Sequence, residues 1–193
     1  MKFESIKKVH DGRYIHRYDI TYETASGAKK VYEMISRNPD ITTHEELIGA
    51  RPDAVVLILF DPKKEKILLN REFRLATGEW VYNFPAGLID GDETPEAAAA
   101  RELREETGLK LEKVEDIIPI SYSAVGFANE TNVCVVGTAT GNITMSDCEV
   151  EEIEAGWYDK NQLRELLKTE RFAARTQAYC YAFVTLSSSS SSL

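Results

Sequence analysis

Residues 87–109 read GLIDGDETPEAAAARELREETGL, and the spacing predicts a loop, a helix and a stop. Thr94 suits the helix N-cap, where a side-chain oxygen satisfies an orphan amide. Pro95 suits the first helical position, where its missing N–H is no loss. Ala97 to Ala100 favour the helix, and Gly108 can take the left-handed conformation that closes it. Inside the helix Glu102, Glu105 and Glu106 stand at i, i+3 and i+4, so they fall on one face. Three carboxylates there repel one another unless positive charge sits among them. Two readings follow from these residues. One is a solvated acidic helix with Arg101 and Arg104 supplying ion pairs. The other is a helix that holds a hard cation, Mg²⁺ or Mn²⁺, through oxygen ligands while the cation engages phosphate.

The rest of the chain sets bounds. At 193 residues it can bury a substantial core as one domain with an extension. Its net charge of −9 disfavours general nucleic-acid binding, which needs Lys and Arg against the phosphates. Cys134, Cys148 and Cys180 lie far apart and form no CxxC pair, so they are expected as buried thiols in a reducing cytoplasm. The start, MKFESIKKVHDGR, is polar, and no apolar run approaches the length of a membrane span. The expectation is therefore a cytoplasmic protein with no membrane partner.

Tyr14 to Glu23 alternates as a strand, with Tyr14, His16, Tyr18, Ile20 and Tyr22 on one face. Ala25 to Ala28 reads as a turn and Lys29 to Ser36 as a second strand, giving a hairpin. His16 is expected as a packing or interface residue of that aromatic face. Residues 37–52 are polar, carry Pro39 and Pro52, and read as a connection. Ala54 to Phe60 is an apolar run that fits a strand buried on both faces. Lys66 to Glu72 is expected to pair with it at the centre of a sheet. Val81 to Phe84 reads as a strand and Pro85 to Gly87 as a turn. Strands are expected over 111–121 and 131–140, with Ile153 and Trp157 anchoring a returning one. Residues 160–168 and 171–184 read as helices, with Leu163, Leu166 and Leu167 as an apolar stripe. Ser187 to Ser192 reads as a disordered tail.

Gly87, Glu93, Arg101-Glu102-Leu103, Glu105-Glu106 and Gly108-Leu109 match the Nudix box at all nine of its specified places, so the chain resembles the Nudix hydrolase family. The resemblance implies an α/β fold, an α/β/α sandwich with a mixed central sheet, here preceded by an N-terminal β-strand extension. It also implies metal-dependent hydrolysis of a nucleoside diphosphate linked to another group. Glu72-Phe73-Arg74, Gly78-Glu79-Trp80 and the FPAGLID of residues 84–90 look like the ADP-ribose pyrophosphatase branch. Residues 46–186 would then be the hydrolase domain and residues 1–45 a dimerising extension, because subunits of that branch exchange N-terminal strands.

The same resemblance assigns roles. Arg74 would contact phosphate, which its planar fork suits. Glu102, Glu105, Glu106 and the backbone carbonyl of Ala86 would hold Mg²⁺ or Mn²⁺. Glu149 and Glu151 match a glutamate-rich loop that supplies the base in some members; other members use a glutamate of the box, which makes Glu105 a further candidate. Glu130 is a candidate substrate or metal contact, and Trp80 or an N-terminal tyrosine could stack on the nucleobase. Glu93 and Arg101 are expected to fix the loop and helix by pairing. The expected reaction is cleavage of ADP-ribose to AMP and ribose 5-phosphate by a homodimer. Two departures from the branch leave room for another nucleoside diphosphate sugar or a dinucleotide. Asn83 stands where the branch often has glutamate, and the 123–130 loop lacks its proline. A Nudix-fold sensor that binds a nucleotide without cleaving it is the more distant alternative.

Overall fold

In the computed structural model, which describes residues 1–49, 51–146 and 151–186, the chain divides into two units. One comprises residues 1–54 and 119–133, the other residues 55–118 and 134–193.

The first unit is built on an antiparallel sheet of β1 (Lys2–Asp11), β2 (His16–Glu23) and β3 (Lys29–Ser36), in that order. β2 and β3 form the expected hairpin, and Gly27, at φ +82°, makes the turn that a side chain would strain. His16, Tyr18 and Ile20 are buried on one face, and His16 Nδ1 lies 2.7 Å from Asp11 Oδ1. β1, which the sequence did not announce, adds a third strand to that hairpin. Its register slips between Phe3 and Ser5 and again between Lys8 and His10. Such bulges break period-two alternation, so Phe3 and Ile6, an odd number apart, both pack on the core of Tyr18, Ile20, Met34, Ile41 and Leu47.

The polar connection at 37–52 holds a short helix, α1 (His44–Ile48), that the sequence reading missed. Its signal is the Thr43-x-x-Glu46 capping box. Glu46 N–H donates to Thr43 Oγ1 at 3.2 Å, and Thr43 N–H donates to Glu46 Oε2 at 3.1 Å. The 123–130 stretch belongs to this unit, with Ile35 N–H donating to Phe127 O at 2.8 Å.

The second unit carries most of a mixed sheet. Its strands are β4 (Ala54–Phe60), β5 (Lys66–Arg74), β6 (Glu79–Asn83), β7 (Ala86–Leu88), β8 (Lys110–Tyr122), β9 (Thr131–Thr140) and β10 (Ile153–Asp159). The order is β10-β5-β4-β9-β8, with β6 on β5 and β7 on β4, so β4 and β5 are neighbours as expected. Pro85 to Gly87 is not the predicted turn. Ala86 to Leu88 pair with β4, and Leu57 N–H donates to Pro85 O at 2.8 Å. A three-residue strand is too short to display a period.

The helices follow their caps. α2 (Pro95–Thr107) starts at Thr94, whose side chain accepts from Ala97 N–H, and ends at Gly108 with φ +73°. α3 (Lys160–Thr169) starts at Asp159 with a capping box to Gln162, and α4 is Ala174–Thr185. Leu163, Cys180 and Val184 pack with Val56, Ile58, Ile67, Leu69, Tyr82 and Phe84, with Leu166 and Leu167 against them. Val55, Leu57, Leu59 and Leu68, on the alternate positions, are fully buried as well. A strand buried on both faces explains why residues 54–60 are apolar throughout.

Cys134 and Cys180 are free and buried, and burial pushes the Cys180 thiol up to about 12. Cys148, Glu149 and the tail from Ser187 lie outside the described residues. No helix among the described residues is long and apolar enough to cross a membrane.

Candidate active site

α2 and β7 meet at a glycine. A Cβ on Gly87 would lie 1.9 Å from Glu102 Cδ and 2.0 and 2.3 Å from its two oxygens. Only a residue without a side chain lets the Ala86–Gly87 backbone rest against that carboxylate. Arg101 then ties the loop before α2 to the helix. Its Nε and Nη2 donate to the two oxygens of Glu93 at 3.0 and 2.8 Å, and Nη2 also donates to Leu88 O at 2.9 Å. Glu93 and Arg101 thus form the predicted pair. Arg101 Nη1 faces the other way and donates to Glu102 Oε1 at 2.7 Å and to Glu105 Oε2 at 3.4 Å. Glu105 is half-exposed and also accepts from Arg104 at 3.1 Å.

Glu106 has a different environment. Its Oε2 accepts from Asn70 Nδ2 at 2.8 Å. Burial, with repulsion from Glu102, Glu72 and Glu151 behind it, pushes the Glu106 carboxyl up to about 8 against the opposing Asn70 bond. Burial also raises Glu102, in spite of Arg101. Asn70 and Glu72 were not singled out as site residues from the sequence. Alternation places them with Arg74 on one face of β5. The available signal was an asparagine closing the apolar run 67–69.

Among the described residues, no three carboxylates converge closely enough to enclose an ion as they stand. Glu102 and Glu105 face Arg101, and Glu106 faces Asn70. The donor set nevertheless fits a hard divalent cation. Glu106 is surrounded by the charges of Glu72, Glu102 and Glu151, a repulsion that a cation relieves. Asn70 Oδ1 is buried and lacks a hydrogen-bond partner. The Gly87 contact keeps the Ala86 backbone beside Glu102. Binding asks Glu102 to exchange Arg101 for the cation.

Beside these groups lies a cleft of about 430 Å³ lined by Glu72, Phe73, Arg74, Leu75, Ala76, Glu151 and Glu152. Arg74 is half-exposed at its edge and pairs with Glu72. Phe73 N–H donates to Glu152 O at 3.1 Å, which holds Glu151 next to β5. Trp80 meets the edge of Phe73 at 5.8 Å, and the Arg71 guanidinium lies 4.5 Å from the Trp80 ring centroid. Asn83 does not face this group: its Oδ1 accepts from Phe84 N–H and from Thr176 Oγ1, both at 2.9 Å. Glu130 belongs to the first unit, where Arg37 Nε donates to it at 2.8 Å. Glu149 lies outside the described residues.

Residues 50–179 match the NUDIX domain. An ADP-sugar pyrophosphatase of Mus musculus is 33% identical over 137 residues, which make up 69% of this chain and 59% of that protein. The chain therefore spans less than two thirds of that relative's length. A GDP-mannose pyrophosphatase of Citrobacter koseri is 29% identical over 137 residues, 63% of this chain and 70% of that protein. The crystal structure of an ADP compounds hydrolase superposes with a TM-score of 0.71 at 21% identity, covering 95% of this chain and 92% of that one, and so shares the fold.

Proposed function

The chain belongs to the Nudix hydrolase family, and on that premise we propose that it is a divalent-metal-dependent pyrophosphohydrolase that cleaves ADP-ribose to AMP and ribose 5-phosphate. The observation that carries this reading is the surplus of carboxylates around Glu106, buried and short of positive charge. When bound, a divalent cation supplies charge neutralisation at the diphosphate and lowers the pKa of water. Glu102, Glu105, Glu106 and the Ala86 carbonyl would hold it, as Mg²⁺ or Mn²⁺. Arg74, at the edge of the cleft, binds the diphosphate oxygens after releasing Glu72. Trp80 offers a ring to the nucleobase. A carboxylate oxygen of Glu149 or Glu151 takes the proton of the attacking water, with Glu105 the alternative. The charge of Glu151 acting on Glu106 favours Glu151 among these candidates. A homodimer joined through the N-terminal strands belongs to the same proposal, and light scattering checks it.

A second substrate reading stays in view because a relative acts, by its name, on GDP-mannose. Asn83 is engaged by Thr176, so no charge is offered at the position where the branch often has glutamate. The deciding experiment is product analysis by mass spectrometry with Mg²⁺ in H₂¹⁸O. It covers ADP-ribose, GDP-mannose, other nucleoside diphosphate sugars and dinucleotides, with Glu106→Gln as the control. Fast cleavage of ADP-ribose, lost in the variant, is the expected result. Faster cleavage of another substrate would replace ADP-ribose, and tight binding without turnover would overturn the enzymatic reading.

A further inference from the structure

We propose that Asn70 is a positioning residue for the divalent cation, acting through the carboxylate of Glu106. The inference rests on the function proposed above. Asn70 is 2% exposed, in the middle of β5, directly after the fully buried Ile67, Leu68 and Leu69. A strand in that place is expected to be apolar, and a buried amide is tolerated only where its groups are satisfied. Half of this amide is satisfied within the protein. Nδ2 donates to Glu106 Oε2 at 2.8 Å, while Oδ1 is buried with no protein partner.

This half-satisfied state is informative because of its direction. The donor end fixes one oxygen of Glu106 and leaves Oε1 for another ligand. The acceptor end is left needing an O–H or N–H donor. A hydrated divalent cation brings both, since Mg²⁺ keeps several of its waters when carboxylates bind it. A leucine or valine would pack the same space without an orphan atom, so packing does not explain the asparagine. Residues that orient metal ligands through a hydrogen bond commonly govern affinity by about 10- to 100-fold.

The test is a double-mutant cycle read by Mn²⁺ binding, followed by electron paramagnetic resonance of free Mn²⁺, with no substrate present. Asn70→Val is expected to weaken Mn²⁺ binding by about tenfold or more in the parent chain. In the Glu106→Gln background the same change is expected to have little further effect, because the partner through which Asn70 acts is already altered. Asn70→Ser, which keeps a small polar group that cannot reach Glu106, is expected to behave as Asn70→Val does. Equal losses in both backgrounds, or an affinity within twofold of the parent, would overturn the inference. So would failure of both Asn70 variants to fold, by circular dichroism, since that makes the residue structural. Absence of Mn²⁺ binding by the parent chain would overturn the proposed function along with it.

Discussion

The first unit and the carboxylate face of α2 use the same charged residues in opposite ways. On the N-terminal sheet each acid has a cation within reach at the surface. Lys8 meets Asp11 at 3.0 Å, Arg17 lies 3.7 Å from Asp19 and 3.8 Å from Glu33, and Arg37 meets Glu130 at 2.8 Å. Apart from Asp19, whose Oδ1 is buried, these pairs are solvated and screened, and they add little to stability. Around α2 the acids outnumber the cations, and Glu93, Glu102 and Glu106 are part-buried. Arg101 serves Glu93 and Glu102 together, and Glu106 has only the neutral Asn70. Balanced charge at the surface is a solubility feature. Unbalanced, part-buried charge is the feature on which the cation proposed above depends.

That contrast can be broken in graded steps. The largest effect is expected from Glu106→Gln, which removes the most buried acid of the face. Turnover with Mg²⁺ falls on the order of 10²- to 10³-fold in a steady-state assay, while the metal-free variant melts no lower than the parent. Next comes Gly87→Ala, whose new methyl collides with Glu102. It is expected to weaken Mn²⁺ binding by about tenfold or more in a titration, with the fold retained. Arg101→Leu strips the partner from Glu93 and Glu102 together, and the melting temperature is expected to fall by about 4–8 °C in calorimetry.

A fourth test uses pH. The folded-state Glu106 carboxyl lies near 8, above its ordinary value of 4.5, so the native state binds the extra proton between those limits. Stability therefore falls as pH rises through that window. In EDTA the melting temperature is expected to decline from about pH 5 to pH 8, and Glu106→Gln is expected to flatten the decline. The smallest effect belongs to the other region. Lys29→Ala, which removes surface pairs with Glu4 and Glu23, is expected to leave the melting temperature within about 2 °C. A larger loss there would erase the contrast.

The carboxylate helix was legible because its signals are local. Thr94, Pro95 and Gly108 mark its ends within a few residues of where they act, and Glu102, Glu105 and Glu106 share a face by helical period alone. β2 and β4 were legible for the same reason, since burial alternates from His16 to Ile20 in one and an unbroken apolar run fills the other. β1 was hidden by two bulges that reset its period, and α1 by a capping box inside a polar stretch. The candidate site was only half visible. Asn70 and Glu72 reach Glu106 across more than thirty residues of chain, and no local pattern encodes such a meeting. Asn83 likewise gives its carbonyl oxygen to Thr176, on a helix 93 residues away in sequence, a meeting that the sequence around Asn83 does not announce.

The closed end of α2 has a further consequence. Thr144 Oγ1 sits 2.1 Å from where a Cβ of Gly108 would be, and Thr144 N–H donates to Thr107 O at 2.9 Å. The helix stop is thereby latched to the segment that leads, seven residues on, to Glu151. In hydrogen-exchange terms the amide of Thr144 and those of the last turn of α2 are expected to open together. Binding of the proposed cation is expected to slow exchange at Thr144 too, as hydrogen-exchange mass spectrometry would read it. The loop's own amide can then serve as a reporter of metal loading with no substrate in the tube.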